Sequence, residues 1–304
     1  MARHRKGRPV HGILLLDKPQ GATSNRALQQ AKRALNAQKA GHTGSLDPLA
    51  TGLLPLCFGH GTKVSAYLLD ADKTYDAELN FGCTTTTGDS EGEICEEFST
   101  AHLSEKLIQQ ALDRFLGEIE QVPPMYSALK QNGQPLYKLA RQGIEVPRQS
   151  RAVTIFALER IYLTGVRLGV RVHCSKGTYI RTLAEDIAKS LNCGAHLTKL
   201  RRTSVGPFGI DGAVTLEQLG SAGADDGAND NLLLPLDSAL NHLPAVELSA
   251  DLAQQVTHGI SVNVESSAAK GMVRIYEQGQ RFLGVGEIID NGLVAPRRIM
   301  CESG

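Results

Sequence analysis

No apolar run in the 304 residues approaches the roughly 20 residues that a membrane-spanning helix needs, so a membrane protein is not expected. Met1–Pro9 carries Arg3, Arg5, Lys6 and Arg8 with no apolar stretch behind them. A secretory signal peptide is therefore not expected, and residues 1–10 read as a basic arm of a kind that often touches nucleic acid. The six cysteines, at 57, 83, 95, 174, 193 and 301, include no C-x-x-C pair and have no histidine at zinc spacing. Reduced thiols and a cytoplasmic location are therefore expected, with neither a disulfide framework nor a metal site. There is no G-x-G-x-x-G, and no Lys-Ser or Lys-Thr pair at phosphate-loop spacing, so no nucleotide cradle is signalled. No internal repeat is visible.

What is present is the composition of an ordinary folded protein, 41% hydrophobic and 21% charged. The length suffices for one large domain with a sizeable core and a second small one. The formal net charge of zero conceals an imbalance. Residues 101–202 carry 16 basic and 8 acidic side chains, whereas residues 203–304 carry 5 and 13. A basic middle third is the footprint of a phosphate-binding surface; a solvated charged surface is the plain alternative.

Periodicity sketches the elements. Gly12–Leu16 is an apolar run closed by Asp17-Lys18-Pro19-Gln20-Gly21, a buried strand leading into a turn. Thr23 or Ser24 caps a helix to about Asn36, and Thr62–Leu69 reads as a short helix. Lys73–Gly82 alternates, with Tyr75, Ala77, Leu79 and Phe81 sharing one face. A helix carrying Leu107, Ile108, Ala111, Leu112, Phe115 and Leu116 ends at Gly117. From Val122 to Arg151 periodicity is lost, while Tyr126, Lys130, Tyr137, Lys138, Arg141, Arg148 and Arg151 gather around a short helix near Leu136–Arg141. An irregular stretch of that length is usually functional or mobile, and cations with rings suit phosphates and unstacked bases. Val166–Cys174 is a strand with one basic face. Thr178 then stands where it can cap a helix whose Ile180, Leu183, Ile187 and Leu191 face the core. Arg181 has Glu185 one turn on, at i,i+4 spacing. Ser221–Asn231 is a polar connector. Short alternating runs at Met272–Tyr276, Phe282–Ile289 and Leu293–Met300 follow, as in a small barrel.

The chemistry-bearing residues are densest in Gly41-His42-Thr43-Gly44-Ser45-Leu46-Asp47-Pro48-Leu49-Ala50-Thr51-Gly52. Read alone, Asp47-Pro48 marks a capped helix start in a packed loop, and the glycines leave room for a ligand near the backbone. The whole string, however, closely resembles the active-site motif of the TruB family of tRNA pseudouridine-55 synthases. Four further segments resemble the family in the same order: Lys18-Pro19 with Gly21, Lys73-x-Tyr75, Lys176-Gly177-Thr178-Tyr179-Ile180-Arg181, and Gly194–Thr203.

The resemblance implies an α+β fold: a pseudouridine-synthase core with a mixed, mainly antiparallel sheet flanked by helices, plus a small PUA-like β-barrel domain. It places the catalytic domain at 11–240, a thumb-like RNA-binding insertion at about 122–151, and the PUA-like domain at 245–304. The acidic balance of that last domain departs from that of a strong RNA binder. In the family pattern Asp47 is the catalytic aspartate and Arg181 its partner, and Tyr75 stacks on the target base. His42 helps hold the everted nucleotide, Tyr179 lines the pocket, Leu200 lies against the uracil, and Lys18 belongs to a turn beside the pocket. The implied partner is the T arm of tRNA, with no protein partner, no metal and no cofactor, and the chain is expected to be a monomer.

Isomerising a uridine means breaking N1–C1′, turning the uracil, and making C5–C1′. A carboxylate kept ionised by a nearby cation can begin this by adding to C6 of the base or to C1′ of the ribose; both routes stay open. The nucleotide must first leave its stack, at a cost of a few kcal/mol. Three other readings stand against this one. A guide-RNA-dependent synthase resembling dyskerin is disfavoured by the thumb-like insertion. An RNA-binding or tRNA-remodelling protein would need no chemistry at Asp47. An aspartate-nucleophile hydrolase would call for a metal or a phosphate cradle, and Ser45 with His42 lacks the third member of a hydrolase triad.

Overall fold

The computed structural model describes residues 7–221, 227–264, 270–278, 281–289 and 292–300. Most of the basic arm and part of the polar connector lie outside the described residues. In chain order, β1 (Gly12–Lys18), α1 (Ser24–Ala34), β2 (Ala40–His42) and β3 (Thr51–Phe58) lead to a 3-10 turn at Gly59–Lys63 and α2 (Ser65–Asp70). Then come β4 (Lys73–Phe81), β5 (Cys83–Thr85), β6 (Ile94–Glu97), α3 (Glu105–Arg114) and β7 (Gly117–Gln121). A small hairpin of β8 (Lys130–Gln131) and β9 (Gln134–Pro135) runs into α4 (Leu136–Ala140). The first module closes with β10 (Arg151–Thr164), β11 (Arg167–Cys174), α5 (Ile180–Ser190), β12 (Ala195–Val205), β13 (Phe208–Gly209) and α6 (Leu216–Ser221). A second module holds β14 (Ala245–Leu248), α7 (Ala250–Thr257), β15 (Val262–Asn263), β16 (Gly271–Glu277), β17 (Arg281–Ile288) and β18 (Leu293–Ile299).

The main sheet runs β1-β3-β12-β4-β11-β10-β7, with β2 added to β3 and β13 to β12. Its pairs are antiparallel except β3 with β12, so the sheet is mixed and mainly antiparallel. β4 lies between β12 and β11, and the alternation in its sequence has the expected outcome: Tyr75, Ala77, Leu79 and Phe81 are all buried. Against that face pack α1 through Ala27, Leu28 and Ala31, α3 through Ile108 and Leu112, and α5 through Leu183, Ala184 and Ile187. The second sheet, β14-β16-β17-β18-β15, forms the PUA-like module. It is docked through a shared apolar cluster in which Val285 and Met300 pack with Ile13, Leu53, Leu68 and Phe208. Lys63 also donates across the junction to the Ile299 carbonyl at 2.7 Å.

Three local expectations give way. Thr62–Leu69 is not one helix, since the glycine-bearing stretch Gly59–Lys63 winds as a 3-10 turn before α2 begins at Ser65. Thr178 does not cap α5; its hydroxyl donates to the Ser175 carbonyl at 2.9 Å, and Tyr179 holds the N-cap position without a side-chain bond. Asp47-Pro48 starts no helix. Residues 43–50 form an irregular loop and β3 follows, because Leu53–Phe58 is a continuous apolar run that the sheet buries on both faces.

Candidate active site

The loop bearing Asp47 is braced from four sides, chiefly through its main chain. Thr23 caps α1 by accepting from the Arg26 N–H, which leaves the buried Ser24 hydroxyl for Leu46. That hydroxyl donates to the Leu46 carbonyl at 3.1 Å and accepts from the Leu46 N–H at 2.8 Å. The Gly21 N–H donates to the Pro48 carbonyl at 2.8 Å. Thr43 donates both its N–H, at 3.1 Å, and its hydroxyl, at 3.3 Å, to the Pro55 carbonyl. From β12, Arg202 donates Nε to the Leu53 carbonyl at 2.7 Å and Nη2 to the Gly44 carbonyl at 3.2 Å. Gly52 permits this approach: its φ is +100°, and a Cβ there would lie 2.3 Å from the Arg202 carbonyl oxygen. A side chain carried on such a loop has little freedom to drift.

Asp47 and Arg181, distant in sequence, meet. Arg181 Nε lies 2.9 Å from Asp47 Oδ2. The guanidinium is 5% exposed, whereas the Asp47 side chain keeps 42% of its surface accessible, so the carboxylate has one open side. The other two guanidinium nitrogens are each engaged once: Nη1 donates to the Thr87 carbonyl at 2.6 Å and Nη2 to the Tyr126 carbonyl at 2.7 Å. Buried Asp89 stands 4.0 Å from Arg181 Nε, anchored by the Thr87 hydroxyl and the Glu91 N–H. Burial pushes the Asp47 carboxyl above its usual range, and Asp89 adds to this; Arg181 and Lys18 oppose it. Glu185 makes no ion pair with Arg181. Burial, chiefly, and then Asp186 push its carboxyl up to about 7, which weakens its hold on the arginine and leaves the guanidinium to Asp47.

Tyr75 on β4 lies opposite Arg202 on β12, and Ala77 lies opposite Leu200. Tyr75, Leu200 and Arg202 therefore share the inner face of the sheet. Burial raises the Tyr75 hydroxyl from its usual value, while the charge of Arg202 and a hydrogen bond from it pull the other way. Lys18, fully buried, donates to the carbonyls of Pro19 at 2.9 Å and Ala22 at 2.7 Å. Burial lowers its pKa to about 8, against the attraction of Asp47 and Glu91. Tyr179, two residues before Arg181, carries the Arg151 guanidinium 5.0 Å from its ring centroid. His42 ends β2; burial and Arg202 lower its pKa, so the ring is mainly neutral near pH 7, and its Nδ1 is buried with no hydrogen-bond partner. A cleft of about 810 Å³ opens elsewhere, at the junction with the second module beside Tyr67, His242 and Arg298, and includes none of these residues.

The sequence reading assigned no role to Asp89, Gln121 or Arg202. Only Arg202 left a trace, as a member of the Gly194–Thr203 segment marked by the resemblance.

A mixed sheet that carries Tyr75 on a central strand, with Asp47 on a loop paired to Arg181 on a helix and a five-stranded module docked beside it, is the architecture of the pseudouridine-synthase fold. The chain superimposes on a chain of the crystal structure of a Cbf5-Nop10-Gar1 complex with a TM-score of 0.73 and 27% identity, covering 96% of this chain and 85% of that one. The family model described as TruB family pseudouridylate synthase (N terminal domain) matches residues 32–180. The tRNA pseudouridylate synthase B C-terminal domain matches 181–241, and Pseudouridine synthase II TruB, C-terminal matches 244–300. The tRNA pseudouridine synthase B of Stutzerimonas stutzeri is 53% identical over 298 residues, 97% of each chain. That of Nitrosococcus oceani is 52% identical over 304 residues, 99% of each. The chain belongs to the TruB family of pseudouridine synthases, which are isomerases.

Proposed function

We propose that this enzyme converts uridine 55 in the T loop of tRNA to pseudouridine, with Asp47 as the nucleophile. The tRNA substrate is carried over from relatives named tRNA pseudouridine synthase B. The observation that carries the mechanism is the pairing of a half-open carboxylate with a buried guanidinium whose other two nitrogens are held by backbone carbonyls. The flipped nucleotide enters from the exposed side of Asp47, with its uracil against Tyr75 and Leu200. Arg181 keeps enough of Asp47 ionised to add to C6 or C1′. The N1–C1′ bond breaks, the uracil turns, C5–C1′ forms as the bond to Asp47 is released, the hydrogen on C5 leaves as a proton to water, and N1 takes up a proton in exchange. Atoms and electrons balance as an isomerisation, so the reaction needs no cofactor. The thumb (about 122–151) grips the T arm, and the enzyme acts as a monomer in the cytoplasm without a protein partner.

Unmodified tRNA tritiated at uracil C5 tests this directly. Enzyme alone should release one equivalent of label, and tRNA with cytidine at position 55 should release none from the T loop. Asp47→Asn should abolish release while tRNA binding persists. Release from other positions but not from 55, or activity surviving in Asp47→Asn, would overturn the proposal.

A further inference from the structure

The thumb and the catalytic arginine are joined by a continuous set of contacts. Gln121, the last residue of β7, is fully buried. Its side-chain amide grips the backbone of Tyr179 from both sides: Oε1 accepts from the Tyr179 N–H at 3.1 Å, and Nε2 donates to the Tyr179 carbonyl at 3.3 Å. Tyr179 is the N-cap residue of the helix that carries Arg181 and offers no side-chain cap of its own; Gln121 supplies the restraint in its place. Arg151, the first residue of β10, pairs with Gln121 across the sheet. Its guanidinium lies over the Tyr179 ring and donates to the Gly177 carbonyl. The two ends of the thumb thus close on one short segment.

The body of the thumb reaches the same place. The Tyr126 carbonyl accepts from Arg181 Nη2 at 2.7 Å. Between Gln121 and Tyr126 lie Val122, Pro123, Pro124 and Met125, and two adjacent prolines make that link stiff. The Ser127 carbonyl accepts from the Tyr137 N–H at 3.1 Å, which ties the segment to α4, where Lys138 is exposed and Arg141 follows, also exposed. An RNA strand held by those cations is one chain of hydrogen bonds away from the guanidinium beside Asp47.

We propose that Gln121 is a positioning residue for the isomerisation, and that seating the thumb on RNA through this linkage fixes Tyr179 and Arg181 against Asp47. The inference rests on the active-site reading above. A thumb out of register would bind RNA yet leave the arginine misaligned, so bound but wrongly docked RNA would not react. Misplacement of a reacting group by about 1 Å can cost a hundredfold in rate.

The test uses the full-length protein and tRNA tritiated at uracil C5. Gln121→Met fills the same volume without either amide bond. It should lower the single-turnover rate at saturating enzyme by between about tenfold and a hundredfold and leave the tRNA dissociation constant within about twofold. As Arg181 loosens, the acid limb of the rate profile should also move to higher pH, a change that a generally weakened fold would not produce. Gln121→Glu keeps the acceptor for the Tyr179 N–H and should recover part of the rate; if the methionine variant fails to fold, the glutamate variant is judged on the same readouts. An unchanged saturating rate, or a lost rate with the acid limb at its original pH, overturns the inference. Asp47→Asn is run alongside: if it remains active the site reading itself fails, whereas an inactive Asp47→Asn with unaffected Gln121 variants sinks this inference alone.

Discussion

Replacing Arg181 by methionine removes the cation 2.9 Å from Asp47 while leaving an unbranched side chain in its space. Two unit charges about 4 Å apart attract by about 4 kcal/mol at an effective dielectric of ~20. Asp47 is 42% exposed, and water reaching it screens the pair to about 1–2 kcal/mol, equivalent to roughly one pKa unit. The direction follows from the role of the group. In the proposed mechanism Asp47 acts as a carboxylate, so activity should be lost as pH falls through its pKa. Burial has already raised that pKa above the usual range, against the pull of Arg181; without the arginine it rises further. The acid limb of kcat/KM should therefore move up by about one pH unit. Above that limb a deficit on the order of a hundredfold should remain, because a preorganised charge-stabilising donor is gone. Tritium release from C5-labelled tRNA, measured below saturation over about four pH units, reads both effects. A folded variant whose acid limb stays put, or moves to lower pH, would refute the claim that Arg181 sets the ionisation of Asp47.

Other groups give separate expectations. Arg202→Met strips the hydrogen bonds from the Gly44 and Leu53 carbonyls and should cost about 2–3 kcal/mol of stability in urea unfolding, with a fall in kcat; unchanged stability would show that the loop does not need this brace. Glu185 has a folded pKa of about 7 against about 4.3 when unfolded. Stability should therefore fall as pH rises between those values and level off above 7. Glu185→Gln should match the parent near pH 4 and exceed it at pH 8 by up to about 4 kcal/mol, the full linkage for a shift of that size; a parallel pH dependence in the two proteins would contradict this. In the thumb, Lys130, Lys138 and Arg141 are exposed, whereas Arg148 and Arg151 are engaged with Pro123, Glu145 and Gly177. Changing the three exposed cations to alanine should weaken tRNA binding and reduce the slope of log K against log salt by about two; an unaltered slope would remove the thumb from the phosphate contacts.

The fold was legible where one face of an element is apolar and the other is not. β4 and the three late strands β16, β17 and β18 form where the alternating runs lie, and α3 runs from its Ser104 cap to Arg114, short of the expected end at Gly117, which instead opens β7. It was illegible where a polar residue had two possible partners. Thr178 and Asp47-Pro48 both carry the marks of helix starts, and in both the side chain goes elsewhere: one to a carbonyl three residues back, the other to an arginine more than a hundred positions on. Local capping rules weigh only neighbours in sequence. A guanidinium arriving from a distant helix competes with stronger, charged bonding.

The same asymmetry runs through the site. Asp47, Arg181 and Tyr75 were singled out by the resemblance of the motifs that carry them, because each residue read alone is equally a cap, an i,i+4 partner or a core aromatic. Their alignment, by contrast, depends on carbonyl oxygens of Thr87, Tyr126, Gly44 and Leu53, and every residue type offers a carbonyl, so no motif marks those positions. Gln121 illustrates the boundary. Its amide recognises a backbone N–H and a backbone carbonyl, so neither its spacing nor its neighbours point to Tyr179; only the pairing of β7 with β10 brings it there. The side chains that the motifs mark are written in the sequence as types, while the groups that hold them in place are written in the topology. The second set surfaces only when the strands are laid side by side.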